Sequence, residues 1–332
     1  MSIRVRPSSM VFAVLAVMSA AVAGAEEINR EFHERFDVHA GMRLRLEHGD
    51  GDVNITPWIQ DTLAVDVRYR AKASGIGWNK STDFEVEFRQ DGDTIYVIGK
   101  EPKHVTVGIS AFREYEYLYS IKAPSYLELD LFGDDGDVEI EDWRGAVEME
   151  LEDGDVRLTA IEAPRTEIIL EDGDLEIDGF KGELLVEAED GDVDIFDCAT
   201  ERARIGLDDG DLTMDRCGGS FEISATDGDI RLTRLRAEDL EIRIDDGSVD
   251  LDLLPAEGLD LNIRAGDGDV VVDLDEGIAT AFTIETRDGR IRVNAPEVGG
   301  LRKEKHRVSG QLGEGGGNIL ISSVDGNIML RQ

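Results

Sequence analysis

An Asp-Gly-Asp turn recurs along this chain at almost constant spacing, and that rhythm limits the fold more than any other feature. The central glycines are Gly136, Gly154, Gly173, Gly191, Gly210 and Gly228, each with aspartate on both sides. The series continues, loosened, as Asp246-Gly247-Ser248, Asp267-Gly268-Asp269 and Asp288-Gly289-Arg290. Successive glycines are 18, 19, 18, 19, 18, 19, 21 and 21 residues apart. A period of about twenty residues is the mark of a stacked repeat architecture.

Inside one period the pattern is strand, turn, strand. Val147, Met149 and Leu151 alternate with Glu148, Glu150 and Glu152; after the turn, Val156 and Leu158 alternate with Arg157 and Thr159. Period-2 alternation puts the apolar set on one face and the charged set on the other. Glycine supplies a positive φ and aspartate bonds nearby backbone, so the triplet reads as a turn. Two architectures fit. Asp-Gly between alternating strands also signals a hairpin, which would give an antiparallel meander. Such a meander would leave one bare face and open edges. A flattened β-solenoid of 18–19-residue coils buries the alternating residues continuously and is the better fit.

The chain divides accordingly. Residues 1–25 read as a signal peptide: Arg4 and Arg6 form a charged start, Met10 to Ala21 an apolar run, and Ala21-Val22-Ala23 or Ala23-Gly24-Ala25 a cleavage site. The run is short for a membrane span, so the mature chain is expected to carry no transmembrane segment. Export places the protein in the periplasm or at the cell surface. Residues 26–123 are expected to form an irregular β cap, because fifteen of the twenty aromatics lie between Phe32 and Trp143. Expected strands there are Met42–Leu46, Leu63–Tyr69, Phe84–Phe88, Thr94–Ile98 and Tyr115–Ile121. The solenoid proper is assigned to 124–293, and 294–332 to a loop with two closing strands.

Charge narrows the partners. With 73 acidic against 35 basic residues the net charge is −38, and loss of the two leader arginines makes it −40. Nucleic acid and anionic lipid are poor partners for such a surface. An envelope protein or a glycan is a better one. The basic run Arg302-Lys303-Glu304-Lys305-His306-Arg307 stands apart and reads as a solvated loop or a docking element.

In-register coils would stack the aspartates in two columns, Asp153, Asp172, Asp190, Asp209 and Asp227 beside Asp155, Asp174, Asp192, Asp211 and Asp229. At a strand spacing of about 4.8 Å two unit charges repel by roughly 0.9 kcal/mol even in water. Three offsets are open: Asx-type bonds to the turn's own amides, uptake of protons, or bridging by Ca²⁺, which takes oxygen ligands. No tight calcium motif is present, so any Ca²⁺ sites on these ten aspartates would be weak and multiple.

Cys198 and Cys217 each lie seven residues after a turn glycine, in the column that also holds Trp143, Ile161, Phe180, Leu235 and Leu254. That column is expected to be buried, and stacked coils in an oxidising compartment make a Cys198–Cys217 disulfide the expectation. Tyr115, Tyr117 and Tyr119 share one strand face; exposed, they would bind a sugar or protein partner, and buried, they would fill the cap. The histidines His33, His39, His48, His104 and His306 are scattered, although His39 and His48 flank one strand.

The phrase around Phe36, Val38, Gly41 and Leu44–Leu46, the turn Gly51-Asp52-Val53-Asn54-Ile55 with Trp58, and Tyr119-Ser120-Ile121-Lys122-Ala123-Pro124 carry a resemblance. With the recurring Gly-Asp-Val/Leu strands and the closing Asp325-Gly326-Asn327-Ile328, the chain resembles the bacterial "putative adhesin" family of unknown function. The resemblance implies an exported β-solenoid-like envelope domain without known catalysis. The resulting expectation is a non-enzymatic structural or adhesion-type protein with no cofactor. The alternatives are a Ca²⁺-responsive acidic module and, third, a carbohydrate-active β-helix enzyme working through a carboxylate pair.

Overall fold

The computed structural model describes residues 26–81, 84–100, 104–256 and 258–332, and within them the side chains of all but 26–28, 72–81 and 104–115. The leader expected over residues 1–25 lies outside that description. The described residues hold twenty-six strands and no helix. The first seven are β1 (Glu26–Asp37), β2 (Arg43–Glu47), β3 (Asp52–Pro57), β4 (Thr62–Ser81), β5 (Glu85–Asp91), β6 (Thr94–Lys100) and β7 (His104–Ala123). The regular part runs β8 (Glu128–Asp135), β9 (Val138–Glu141), β10 (Val147–Asp153), β11 (Val156–Ile161), β12 (Arg165–Asp172), β13 (Leu175–Asp190), β14 (Val193–Asp209), β15 (Leu212–Asp215), β16 (Gly218–Asp227), β17 (Ile230–Asp246), β18 (Val249–Leu253), β19 (Asp260–Asp267) and β20 (Val270–Leu274). The last six are β21 (Thr280–Asp288), β22 (Ile291–Asn294), β23 (Gly299–Lys303), β24 (Arg307–Leu312), β25 (Gly317–Asp325) and β26 (Ile328–Arg331).

The two strands that flank each Asp-Gly-Asp do not pair with each other. Each pairs in parallel with its counterpart one period away: Val147↔Thr166, Met149↔Ile168 and Asp153↔Asp172 before the turn, Val156↔Leu175 and Leu158↔Ile177 after it. This register excludes the hairpin meander and makes the fold all-β and solenoid-like. Strands before the turns form a front row and strands after them a back row, with the core between. In one coil Val147, Met149 and Leu151 come inward from the front and Val156, Leu158 and Ile161 from the back, all at 2% exposure or less. Full burial of such side chains stabilises by about 1.5–3 kcal/mol each, so the alternation seen in the sequence is what holds the coils together.

The turn glycines are fixed by sterics. Gly173 has φ +128°, and a Cβ there would lie 2.2 Å from the carbonyl oxygen of Gly154 in the preceding coil. A second corner escapes sequence reading. Six residues after each of the first six turn glycines the chain adopts a left-handed conformation, at Asp142, Ala160, Gly179, Asp197, Arg216 and Arg234, with φ between 50° and 79°. Only one of the six is glycine, the residue that takes this conformation without steric cost.

Both ends of the stack are threaded out of sequence order. At the start, β2 and β3 lie against β8 and β9, while β6 and the last part of β7 stack outside them. Antiparallel partners then extend the rows: β5 on β6, β4 on β7, and β1 on β4. The five strands expected there are all present, with β4 and β7 much longer than their apolar runs. At the other end β25 lies between β19 and β21, and β26 between β20 and β22. The final strands, expected to close the stack, form an inserted coil instead. The stretch 294–317, expected as a loop, contains the antiparallel pair β23 and β24, with β24 on β21. β23 shows no apolar alternation because all five of its residues are exposed.

Candidate binding face and surrounding residues

The second aspartate of each turn has a defined role. The Asp174 amide donates to Asp155 Oδ1 at 3.0 Å, Asp192 to Asp174 at 2.9 Å, Asp211 to Asp192 at 2.9 Å and Asp229 to Asp211 at 2.8 Å. The same bond joins Asp137 to Asp52, Asp155 to Asp137 and Ser248 to Asp229. Each carboxylate thus bonds the backbone of the neighbouring coil, not of its own turn as the Asx reading had it. In the first column the backbone carbonyls serve, as when Asp172 accepts from the Gly154 amide at 3.1 Å, while the carboxylates face solvent.

The ten aspartates Asp153, Asp155, Asp172, Asp174, Asp190, Asp192, Asp209, Asp211, Asp227 and Asp229 consequently run as two rails and do not converge. Among the described residues no three His, Cys, Asp or Glu side chains gather as a metal-binding group. One carboxylate oxygen of each second-column aspartate from Asp155 to Asp229 accepts an amide of the next coil, and the first-column carboxylates are spread along the stack. Like-charge crowding registers one residue earlier. Partial desolvation, followed by the Glu152 and Glu189 carboxylates, holds the Glu171 carboxyl above its ordinary range.

Glu171 belongs to an acidic field on the outer front row. Glu150, Glu152, Glu171, Glu187 and Glu189 project there without a Lys or Arg in ion-pair contact among the described residues. Paired charges bracket the field on both sides. Toward the start Arg43 meets Glu128 and Arg45 meets Asp130, each at 3.0 Å. Toward the end Arg204 meets Glu222 at 3.0 Å and Arg264 meets Glu241 at 2.8 Å. Within the field the outward column changes from Glu187 to Gly206 and Ser224. Loss of side-chain bulk there opens a groove of about 470 Å³ beside Ile169, rimmed by Glu187, Glu189 and Asp208 with Arg243 at its far side. Sequence alternation shows that these residues point outward; only the register shows that small ones line up beside carboxylates.

Tyr117 and Tyr119 do not form a surface. Tyr117 is 7% exposed and Tyr119 is fully buried; the Tyr115 side chain lies outside the described residues. Tyr117 stacks on Tyr69 at 5.0 Å and meets Phe84 edge-on at 4.9 Å, and the Tyr119 hydroxyl donates to the His48 carbonyl at 3.2 Å. Buried aromatics of this kind fill a core, so the partner-binding role expected of Tyr117 and Tyr119 is withdrawn.

Cys198 and Cys217 are buried in the expected column, but both are free thiols. Parallel neighbours in register send their side chains side by side into the core instead of toward each other, a poor approach for a disulfide. The hydrogen bond to Cys217, and after it burial, holds the Cys198 thiol far above its usual range. The column's later member is Leu253 rather than Leu254, because the register shifts between β17 and β18. On the surface beside the cysteines, Arg216 grips Asp197 through two bonds of 2.5 and 2.7 Å, and Arg234 bonds Asp215.

His39 and His48 do not meet at a site. His39 is exposed near Asp93, whereas His48 is 1% exposed with no hydrogen-bond partner on either ring nitrogen. Burial pushes the His48 imidazole down to about 4, and the nearby Gly51 carbonyl offsets only part of that. The ring occupies space left by Gly133, where a Cβ would be 2.1 Å from its Cε1. The basic run forms the exposed end of β23 and its turn, where Arg307 pairs with Glu285 at 2.7 Å.

A parallel, all-β, solenoid-like stack is thus the class of protein defined by the register. The family model described as Toastrack DUF4097 matches residues 42–232, 182–302 and 219–331, and the chain belongs to that family. Among solved structures, one described as a "putative adhesin" from Bacteroides fragilis is 11% identical, with a TM-score of 0.41, covering 91% of this chain and 97% of that one. A "putative adhesin" from Parabacteroides distasonis is 10% identical with a TM-score of 0.36, at 91% and 97% coverage. A "putative cell adhesion protein" from Clostridium sporogenes is 14% identical with a TM-score of 0.20, at 91% and 100% coverage. Comparison with curated proteins gave no match. No helix among the described residues is long and apolar enough to cross a membrane.

Proposed function

We propose that this is an exported, non-enzymatic adhesion-type module of the cell envelope whose front face holds a cationic partner. The observation that carries the reading is the groove beside Ile169, rimmed by Glu187, Glu189 and Asp208 in a field of unneutralised carboxylates. A lysine or arginine side chain laid there would relieve like-charge crowding and cover the apolar floor with its stem. Repetition of similar coils supplies neighbouring carboxylates, so several weak contacts reinforce one another. A catalytic role is less well supported, because a solenoid repeats its carboxylates where an active site needs one distinct pair.

The test is binding of a lysine- and arginine-rich peptide by the mature protein and by E187Q/E189Q. The expected result is affinity that falls with salt and is weakened about fivefold or more in the variant. Equal binding by the variant, or preference for a neutral glycan, would refute the reading. The crowding at Glu171 also favours a second reading, in which divalent cations screen the same face. A Ca²⁺-specific rise in the thermal midpoint, beyond that given by matched NaCl and reversed by EDTA, would support it.

A further inference from the structure

The front row ends in two strands that have one partner each among the described residues. At the start of the stack β5 pairs with β6, and at the end β23 pairs with β24. Each presents a second edge of backbone donors and acceptors, the usual template for strand addition. The two edges differ in charge. β5 carries Glu85, Glu87 and Asp91 against Arg89, with Glu87 also paired to Lys100 of β6; β23 and its turn carry Arg302, Lys303 and Lys305 against Glu304. This is the reverse of the chain's general balance, since the whole molecule is strongly acidic.

The strand directions are also complementary. β5 runs antiparallel to β6, which is parallel to β2 and to the rest of the front row. β23 runs antiparallel to β24, itself antiparallel to β21, so β23 follows the front-row direction. Two copies stacked end to end in the same sense would bring β23 of one beside β5 of the next as an antiparallel pair. In β5 the apolar Val86 and Phe88 pack toward the core, while Glu85 and Glu87 alternate outward. In β23 Leu301 is the exposed apolar residue, at 42%, next to exposed Arg302 and Lys303. On β23 Lys303 lies opposite the buried Val308 and Arg302 opposite Ser309, so Arg302 takes the outward row and falls among the carboxylates.

We infer that the protein associates end to end with a second copy of itself, β23 of one molecule adding to the free edge of β5 in the next. Ionic strength should act in both directions. Molecules of this net charge repel at low salt, and the Debye length of about 8 Å near 0.15 M screens that repulsion while sparing contacts made within a few ångströms. High salt weakens the contact pairs themselves. Association is therefore strongest at intermediate salt.

Sedimentation velocity of the mature full chain, over a concentration series at about 0.02, 0.15 and 1 M NaCl, tests this inference. The expected result is concentration-dependent association that peaks at the middle salt. R302E/K303E weakens it about tenfold or more, and combining that change with E85K/E87K in one chain restores it. A chain that is monomeric throughout, an R302E/K303E variant that associates like the parent, or failure of the charge swap to restore association would each overturn the inference. Should circular dichroism show that a charge variant does not fold, L301D at the exposed edge replaces it: loss of association supports the contact, and retention refutes it. This contact is remote from the groove at Glu187, so peptide binding and self-association fail or succeed independently.

Discussion

Asp174 shows how one carboxylate can join two coils, since it accepts the Asp192 amide while its own amide is held by Asp155. Replacing it by alanine leaves an amide to water and removes a charge-assisted bond, whereas asparagine keeps an acceptor and deletes a charge from a crowded rail. We expect D174A to lose about 1 kcal/mol of stability and D174N less than half as much, measured by urea denaturation. A loss in D174N as large as that in D174A would mean that charge, not the bond, matters at this position. His48 gives a second prediction at this scale. Its imidazole is lowered from 6.5 to about 4 in the folded chain, so the unfolded chain binds the proton more readily. The stabilisation is complete above pH 6.5 and is lost as pH falls through 4. The cost is roughly 1.4 kcal/mol per pH unit within that window. Subtracting the pH profile of H48L from that of the parent should isolate this slope from the carboxylates that titrate nearby; parallel profiles would disprove it.

Among the structural elements, the coil has two glycine-favouring corners that respond oppositely to small substitutions. Ala160 is exposed at φ +55°, so A160G should relieve left-handed strain and stabilise by up to about 1 kcal/mol. Gly173 combines φ +128° with a Cβ position 2.2 Å from a carbonyl oxygen, so G173A should cost about 3 kcal/mol or more. Differential scanning calorimetry of both variants would check the pair of signs. The two corners were unequally legible. The Asp-Gly-Asp corner is written in the sequence because only glycine fits and aspartate bonds across. The left-handed corner is not, because Asp142, Ala160, Asp197, Arg216 and Arg234 are exposed side chains of three different kinds with no common turn signature. Alternation likewise showed that Tyr117 and Tyr119 share a face, but the partners that make it an inner face, Tyr69, Phe84 and His48, lie far away in the chain. The groove escaped for a related reason. It needs the lateral alignment of Gly206 with Glu187, which is a property of register and not of either strand alone.

For the molecule as a whole, the repeat determined that coils stack, while their order at the ends depends on pairings about forty or more residues apart in sequence. β25 and β26 close the chain yet lie inside the stack, each hydrogen-bonded on both sides. Chain ends usually fray because they have one neighbour or none. Here the segment exposed at the end of the stack is the earlier one, with β22 and β23 at its edges. Hydrogen exchange followed by mass spectrometry should find peptides from 317–331 as protected as those from the central coils, and peptides from 291–312 exchanging first. A truncation after Gly316 should do more than shorten the protein. It would strip the inner partner from β21 and β22 and bare β19 and β20, so protease resistance should be lost across 275–312 as well. If the last fifteen residues instead exchange ahead of β22 and β23, the inserted coil is only marginally held, and the stack opens from its chain terminus like an ordinary solenoid.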